Sequence, residues 1–193
     1  MTDLMLFLYM AKVSILKWKG PEERMEKNKR QSYYLKAVIC AAILIGLDQA
    51  VKYLVVLNLK GNPPIDIIKN VFQLAYLENR GAAFGILENK RIFFYLCAVV
   101  ILIVVAYFYT KVPMEKKFLP LRICAIFIAS GAIGNVIDRV RLNYVVDFLY
   151  FKLIDFPIFN VADIYVTVAA VMLVFLVCFY YKEEDLERVF SHS

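Results

Sequence analysis

Gly131–Asp163, GAIGNVIDRVRLNYVVDFLYFKLIDFPIFNVAD, is the polar interruption that decides how the rest of this apolar chain is read. It closes one apolar run and opens the next. Within it stand four aspartates, Asp138, Asp147, Asp155 and Asp163, and three asparagines, Asn135, Asn143 and Asn160. Keeping carboxylates at or beside a bilayer costs free energy, so such groups usually serve a function.

Working outward, the chain has 193 residues, 62% of them hydrophobic, with a mean hydropathy of +0.63. A soluble domain is about 45–50% apolar. The excess lies in long runs, which predicts an α-helical integral membrane protein. Spans are expected at about residues 35–57, 92–109, 121–137 and 161–181. The net charge of +6 sits beside these runs rather than in a stripe with interleaved aromatics, which argues for membrane orientation and against nucleic-acid binding. Cys40, Cys97, Cys124 and Cys178 lie singly inside apolar runs, as small buried hydrophobes do.

The connections carry the polar content. Residues 1–34 read as an N-terminal cytoplasmic extension. It holds a short apolar patch, LMLFLYM, too short to span, and Met25 offers an alternative start. Asp48 and Lys52, four apart in the first span, read as an ion pair near the membrane edge with Lys52 snorkelling outward. Asn62, Pro63 and Pro64 exclude helix. Val71 to Leu77 is rich in β-formers and Asn79-Arg80-Gly81 reads as a turn, so a small sheet is expected to rest on the membrane. The small run Gly81-Ala82-Ala83 allows another backbone to come close. The second span is nearly all apolar and reads as scaffold. Ser130, Gly131 and Gly134 suit close helix packing. Residues 140–160 read as an irregular loop, and residues 182–193 as a polar cytoplasmic tail.

Four spans place both termini on one side. Lys and Arg crowd the stretch before the first span and the second connection, so the positive-inside rule puts both termini in the cytoplasm. Asn79, Asp147 and the start of the fourth span then share the outer face.

The sole histidine, His192, stands next to the C-terminal serine. That removes most Ser-His and Cys-His mechanisms, and it removes the HExxH zinc helix. A carboxylate metal site from Asp138, Asp147 and Asp163 has no imidazole to support it. What remains is paired carboxylates: two adjacent aspartates share a proton, and together they activate water and polarise a carbonyl without a cofactor or metal. Asp147 and Asp163 are sixteen residues apart with Pro157 between them, so a loop folding back on a helix start is needed to join them. The same positions also suit helix caps and loop ion pairs. Spacing alone does not choose.

LDQAVK (Leu47–Lys52), ENRGAAFG (Glu78–Gly85), GAIGNVIDR (Gly131–Arg139), VVDF (Val145–Phe148) and FNVAD (Phe159–Asp163) occur in this order. Jointly they resemble lipoprotein signal peptidase, the signal peptidase II family of bacterial membrane aspartic peptidases, over residues 35–181. The resemblance implies four transmembrane helices with a small extracytoplasmic β-sheet beside the active site. It implies Asp147 and Asp163 as the catalytic dyad, with Asn79, Gly81, Asn135, Asp138, Arg139 and Asn160 binding substrate or supporting the site. The implied reaction removes the signal peptide of a prolipoprotein just before a diacylglyceryl-modified cysteine. It needs no cofactor and no metal. The implied partners are that substrate, membrane lipid and globomycin-type cyclic peptide inhibitors, but no nucleic acid. The implied location is the bacterial cytoplasmic (inner) membrane. Three features depart from the family pattern: the residues before Met25, Val166 and Ala169 in place of Ile and Gly, and Asp155, which matches no motif. A proton- or ion-coupled transporter would instead place acids at mid-depth in several spans.

Overall fold

A computed structural model of the chain describes residue 5, residues 21–81 and residues 90–190. The apolar patch at residues 4–10 therefore falls, but for Met5, outside the described residues, and so do Ala82 and Ala83. The chain divides into two units, residues 1–38 and 39–193. In the first, the described residues 21–38 are helical, with Lys27, Lys29, Arg30 and Lys36 exposed; Arg30 donates to the Tyr34 hydroxyl one turn on (3.2 Å).

Helix α1 spans Pro21–Leu59. It begins well before the first apolar run because PEERMEKNKRQ consists largely of good helix formers, with proline at the tolerated first position. It ends where Gly61 takes a left-handed φ of 80° and Asn62 N–H returns to Leu59 C=O (3.1 Å). Strands β1 (Ile65–Ile68), β2 (Phe72–Asn79) and β3 (Val145–Tyr150) form one antiparallel sheet in the order β1-β2-β3. Helices α2 (Arg91–Lys111), α3 (Leu119–Leu142) and α4 (Val161–Phe175) follow in turn, α4 running on through a π-turn at Leu176–Tyr180. Helix α5 (Glu183–Phe190) closes the described chain.

Among the described residues, four helices are long and apolar enough to cross a membrane: Lys27–Leu59, Ile92–Lys111, Lys116–Leu142 and Val161–Tyr180. These match the four expected spans. Their outward faces carry exposed large hydrophobics such as Ile92, Ile103 and Val171, as lipid-facing helices do.

Three readings change. Residues 140–160 are not wholly irregular: VVDFLY, with two β-branched valines and the aromatics Phe148 and Tyr150, forms β3. The third span does not end at about residue 137, and Asp138 and Arg139 belong to the same helix as Asn135. The helix continues to Leu142 and stops at Asn143, which takes the left-handed conformation (φ 69°), so all three lie on its last turns at i, i+3 and i+4. The polar tail is also structured. Asp185 accepts from the Lys182 N–H (3.1 Å) and pairs with Lys117 (2.5 Å), while Val189 is buried against the cluster around Phe118, Leu121 and Tyr181.

The small residues of α3 behave as expected. A Cβ added at Gly131 would lie 2.5 Å from the Ala162 carbonyl oxygen, so α3 and the start of α4 touch backbone to backbone there. Gly131→Ala should therefore force the two helices apart and destabilise the fold by about 1–3 kcal/mol, the range for overpacking. A thermal melt in detergent that matched wild type would contradict this close approach.

Candidate active site

The sheet end of α1 packs through Val55 and Leu59 on Val146 and Phe148, even-numbered residues of β3, with Leu74 and Tyr76 of β2 alongside. Because strand side chains alternate, the odd-numbered residues Asn79, Val145 and Asp147 face the other way, into a cavity of ≈ 960 Å³. Arg139, Asn135 and Asp163 complete its polar wall, while Phe94, Phe151 and Phe159 contribute to an apolar one.

The chain returns from β3 to this wall by a short fold-back. A 3₁₀ turn at Lys152–Ile154 ends at Asp155, left-handed at φ 48° and held by the Tyr150 hydroxyl (2.5 Å). Asp155 is thus a turn residue. Phe159 then pairs with Leu149, its C=O accepting from the N–H groups of Phe148 (3.0 Å) and Leu149 (2.8 Å). That pairing delivers the next residue, Asn160, to Asp147.

Asn160 is fully buried and serves both acids. Its side-chain amide donates to Asp147 Oδ1 (2.6 Å). Its backbone N–H donates to Asp163 Oδ2 (3.1 Å), and its Oδ1 accepts from the Asp163 N–H (3.2 Å), closing a capping box on α4. Asn79 donates to the other oxygen of Asp147 (2.8 Å), and Asn135 donates to Asp163 Oδ1 (2.9 Å). Burial first, and then the negative charge of Asp163, push the Asp147 carboxyl from its ordinary 3.8 up to about 7; the two asparagine amides and the charge of Lys52 oppose the shift.

Gly81 and Arg139 form the rim. The Gly81 N–H donates to Asn79 Oδ1 (2.9 Å), and its C=O accepts from Arg139 (3.3 Å). The guanidinium of Arg139 sits over the Phe94 ring at 4.4 Å, and Tyr95 donates to the Arg139 carbonyl (3.0 Å). The second span therefore supports the site through packing. Asp138 braces rather than lines the cavity: it pairs with Lys52 (2.9 Å) and accepts from Gln49 (2.9 Å) and the Val146 N–H (3.2 Å).

Lys52 does not snorkel. It is 3% exposed and lies between Asp48 (3.0 Å) and Asp138, donating as well to Asn135 Oδ1 (3.0 Å). Asp48, 0% exposed, also accepts from the Ala162 N–H (3.0 Å) at the start of α4. This link between α1, α3 and α4 is what the sequence reading missed. Its signal was the Asp48-Gln49-Lys52 spacing inside an apolar helix, read there for only one pair. Among the described residues no three of His, Cys, Asp and Glu gather as a metal-ligand set. The oxygens of Asp147 and Asp163 are taken by amides instead.

The family model described as signal peptidase (SPase) II matches residues 40–179. A lipoprotein signal peptidase of Streptococcus thermophilus is 49% identical over 152 residues, covering 78% of this chain and 96% of that relative. One from Caldanaerobacter subterraneus subsp. tengcongensis is 45% identical over 144 residues, covering 74% and 96%. Among solved structures, a bacterial membrane enzyme determined by the in meso method superposes with a TM-score of 0.67 at 30% identity, covering 77% of this chain and 92% of that one.

Proposed function

The chain belongs to the signal peptidase II family, and from that premise we propose that Asp147 and Asp163 are the catalytic pair of its aspartic endopeptidase activity. The observation that carries the reading is the double hold of Asn160, which binds both carboxyls at one cavity wall.

The pair shares one proton. Burial and the Asp163 charge keep it on Asp147 up to about pH 7. Protonated Asp147 donates to the scissile carbonyl oxygen. Ionised Asp163 takes a proton from water, whose oxygen attacks the carbonyl carbon. The tetrahedral intermediate then collapses as the proton held by Asp163 passes to the leaving amide nitrogen and one gem-diol hydroxyl returns its proton to Asp147, which breaks the C–N bond, re-forms C=O and restores the pair. Asn79, Asn135 and Asn160 hold the carboxyls in place; Gly81 and Arg139 border the substrate's path, and Asp138 anchors the wall behind.

The substrate in this reading is a prolipoprotein cut just before its diacylglyceryl-modified cysteine, with the acyl chains in lipid. The phenylalanine wall of the cavity suits such a substrate, and also an apolar cyclic peptide of the globomycin type acting as competitor. The enzyme lies in the bacterial cytoplasmic (inner) membrane with its site outward and both termini inside, an orientation resting on the Lys and Arg bias of the connections. Residues 35–181 then form the peptidase domain, between a cytoplasmic extension at residues 1–34 and the cytoplasmic segment 182–193.

The test is gel-shift cleavage of a diacylglyceryl-modified prolipoprotein in detergent, with and without chelator, across pH. Cleavage should be chelator-insensitive and should need the lipid modification. Because Asp147 loses its proton as pH rises through about 7, kcat should decline above that point. A profile flat from about pH 6 to 9 would take the proton away from Asp147, and chelator-sensitive cleavage would move the acids into a metal site.

A further inference from the structure

Asn79 reaches Asp147 from the last residue of β2, where the strand leaves the sheet and its ladder ends at the Asn79–Val145 pair. A strand end frays unless it is held. The hold lies on the opposite face. Glu78 points away from the cavity, and three donors converge on its carboxylate: Lys60 just beyond α1 (2.9 Å), the Tyr76 hydroxyl (3.1 Å) and Arg80 (3.3 Å). Tyr144, in the turn between α3 and β3, closes the group. Its hydroxyl is 3.3 Å from that of Tyr76 and 3.5 Å from Lys60 Nζ, and Lys60 and Arg80 both lie 5.9 Å from its ring centre. The cluster joins α1, β2 and the β3 turn, and it grips the two residues flanking Asn79.

We propose that Glu78 is a positioning residue for peptide cleavage: the Lys60–Glu78–Arg80–Tyr144 clamp on the back of β2 fixes Asn79 on its front against Asp147. The proposal rests on the reading of Asp147 as catalytic. Hydrogen bonding to Lys60, ahead of the opposing effect of burial, lowers the Glu78 carboxyl to about 2, so the clamp stays charged throughout the working range. None of its residues lines the cavity, so its influence on the reaction passes through the lining residues it is bonded to, of which Asn79 is the one that touches Asp147. Of the other groups acting on Asp147, Asn160, Asp163 and Lys52 are held by contacts outside the clamp, and Arg139 is held over the Phe94 ring as well as by the Gly81 carbonyl.

The experiment compares wild type, Glu78→Gln, Lys60→Met, Lys60→Arg, Asn79→Ala, the Glu78→Gln/Asn79→Ala double variant and Asp147→Asn in the gel-shift assay, with a detergent melt for each. Glu78→Gln and Lys60→Met should lower kcat roughly tenfold with KM within about twofold, the scale on which misplacement of a reacting group acts. Lys60→Arg, which keeps the ion pair, should restore most of the loss. The Asn79 hydrogen bond holds the Asp147 carboxyl down, so loosening it should move the alkaline limb of the kcat profile to higher pH, in the same direction as Asn79→Ala. The double variant should be no slower than Asn79→Ala alone, because both changes remove one contact. Losses that multiply in the double variant, or an unshifted pH limb beside a lowered melting temperature, would reduce Glu78 to a stability role and overturn the proposal. So would wild-type kcat in Glu78→Gln. Full cleavage by Asp147→Asn would instead overturn the catalytic reading itself, whatever Glu78→Gln does.

Discussion

Asp147→Asn and Asp163→Asn should each lose prolipoprotein cleavage by about a thousandfold or more, the scale of removing a group that moves a proton in the transition state. The changes are nearly isosteric, yet the local hydrogen bonding shows why they are not silent. Asp147 accepts one amide N–H on each oxygen, from Asn79 and from Asn160. An asparagine there can accept only one, and its own NH₂ then faces a donor. Neither neighbour can turn over freely: Asn79 Oδ1 is occupied by the Gly81 N–H and Asn160 Oδ1 by the Asp163 N–H. Asp147→Asn should still fold, since it no longer buries a carboxyl whose charged form is disfavoured.

A stability readout separates folding from chemistry. The folded-state carboxyl of Asp147 is raised from 3.8 to about 7, so the folded state binds more protons than the unfolded state between those values. Its contribution to stability therefore falls as pH rises from about 4 to about 7 and is level beyond. Asp147→Asn should remove that slope while insertion into the membrane continues. Wild-type processing by either variant would exclude that residue from the pair.

Lys52→Met should be the most damaging change to the fold, costing about 3–5 kcal/mol, as expected when one partner of a buried ion pair is removed. The ammonium lies between Asp48 and Asp138, both almost fully buried, and satisfies Asn135 Oδ1 as well. Its loss leaves two like charges facing each other without a cation. It also frees Asn135, whose amide is aimed at Asp163 because its oxygen is held by Lys52 and by Asn160 (3.2 Å). Methionine matches the lysine stem, so the effect is one of charge rather than of packing volume. Adding Asp138→Asn should recover part of the melting temperature by neutralising one of the stranded acids. A Lys52→Met protein that melts like wild type would show that the network carries little of the fold.

Much of this was legible in the amino-acid order. Runs of about twenty apolar residues identify membrane helices because the bilayer thickness fixes their length, and all four spans emerge within a few residues except at the start of α1. That start moved because the residues ahead of it form helix well outside an apolar setting. The fold-back that joins Asp147 to Asp163 was readable from Pro157 and the sixteen-residue gap. The strand at Val145–Tyr150 was not, since six residues containing a buried aspartate look like loop until a neighbouring strand supplies the ladder.

The burial of Lys52 was illegible for a related reason. A lysine near a helix end reaches headgroups or turns inward, and only partners on another helix decide which. Asp138 is 86 residues away in sequence and 2.9 Å away in space. The chain by itself thus determined the membrane class, the four helices long and apolar enough to cross, the family and the two acids to propose as the pair, because length, hydropathy and motif order are properties of the chain read along its length. The tertiary structure alone decided that Asn160 binds both acids, that Asp138 braces rather than lines the cavity, and that Glu78 turns its back on the site. Those are matters of which side chains meet across elements, and hydrogen bonds depend on distance and direction in space rather than on position in sequence.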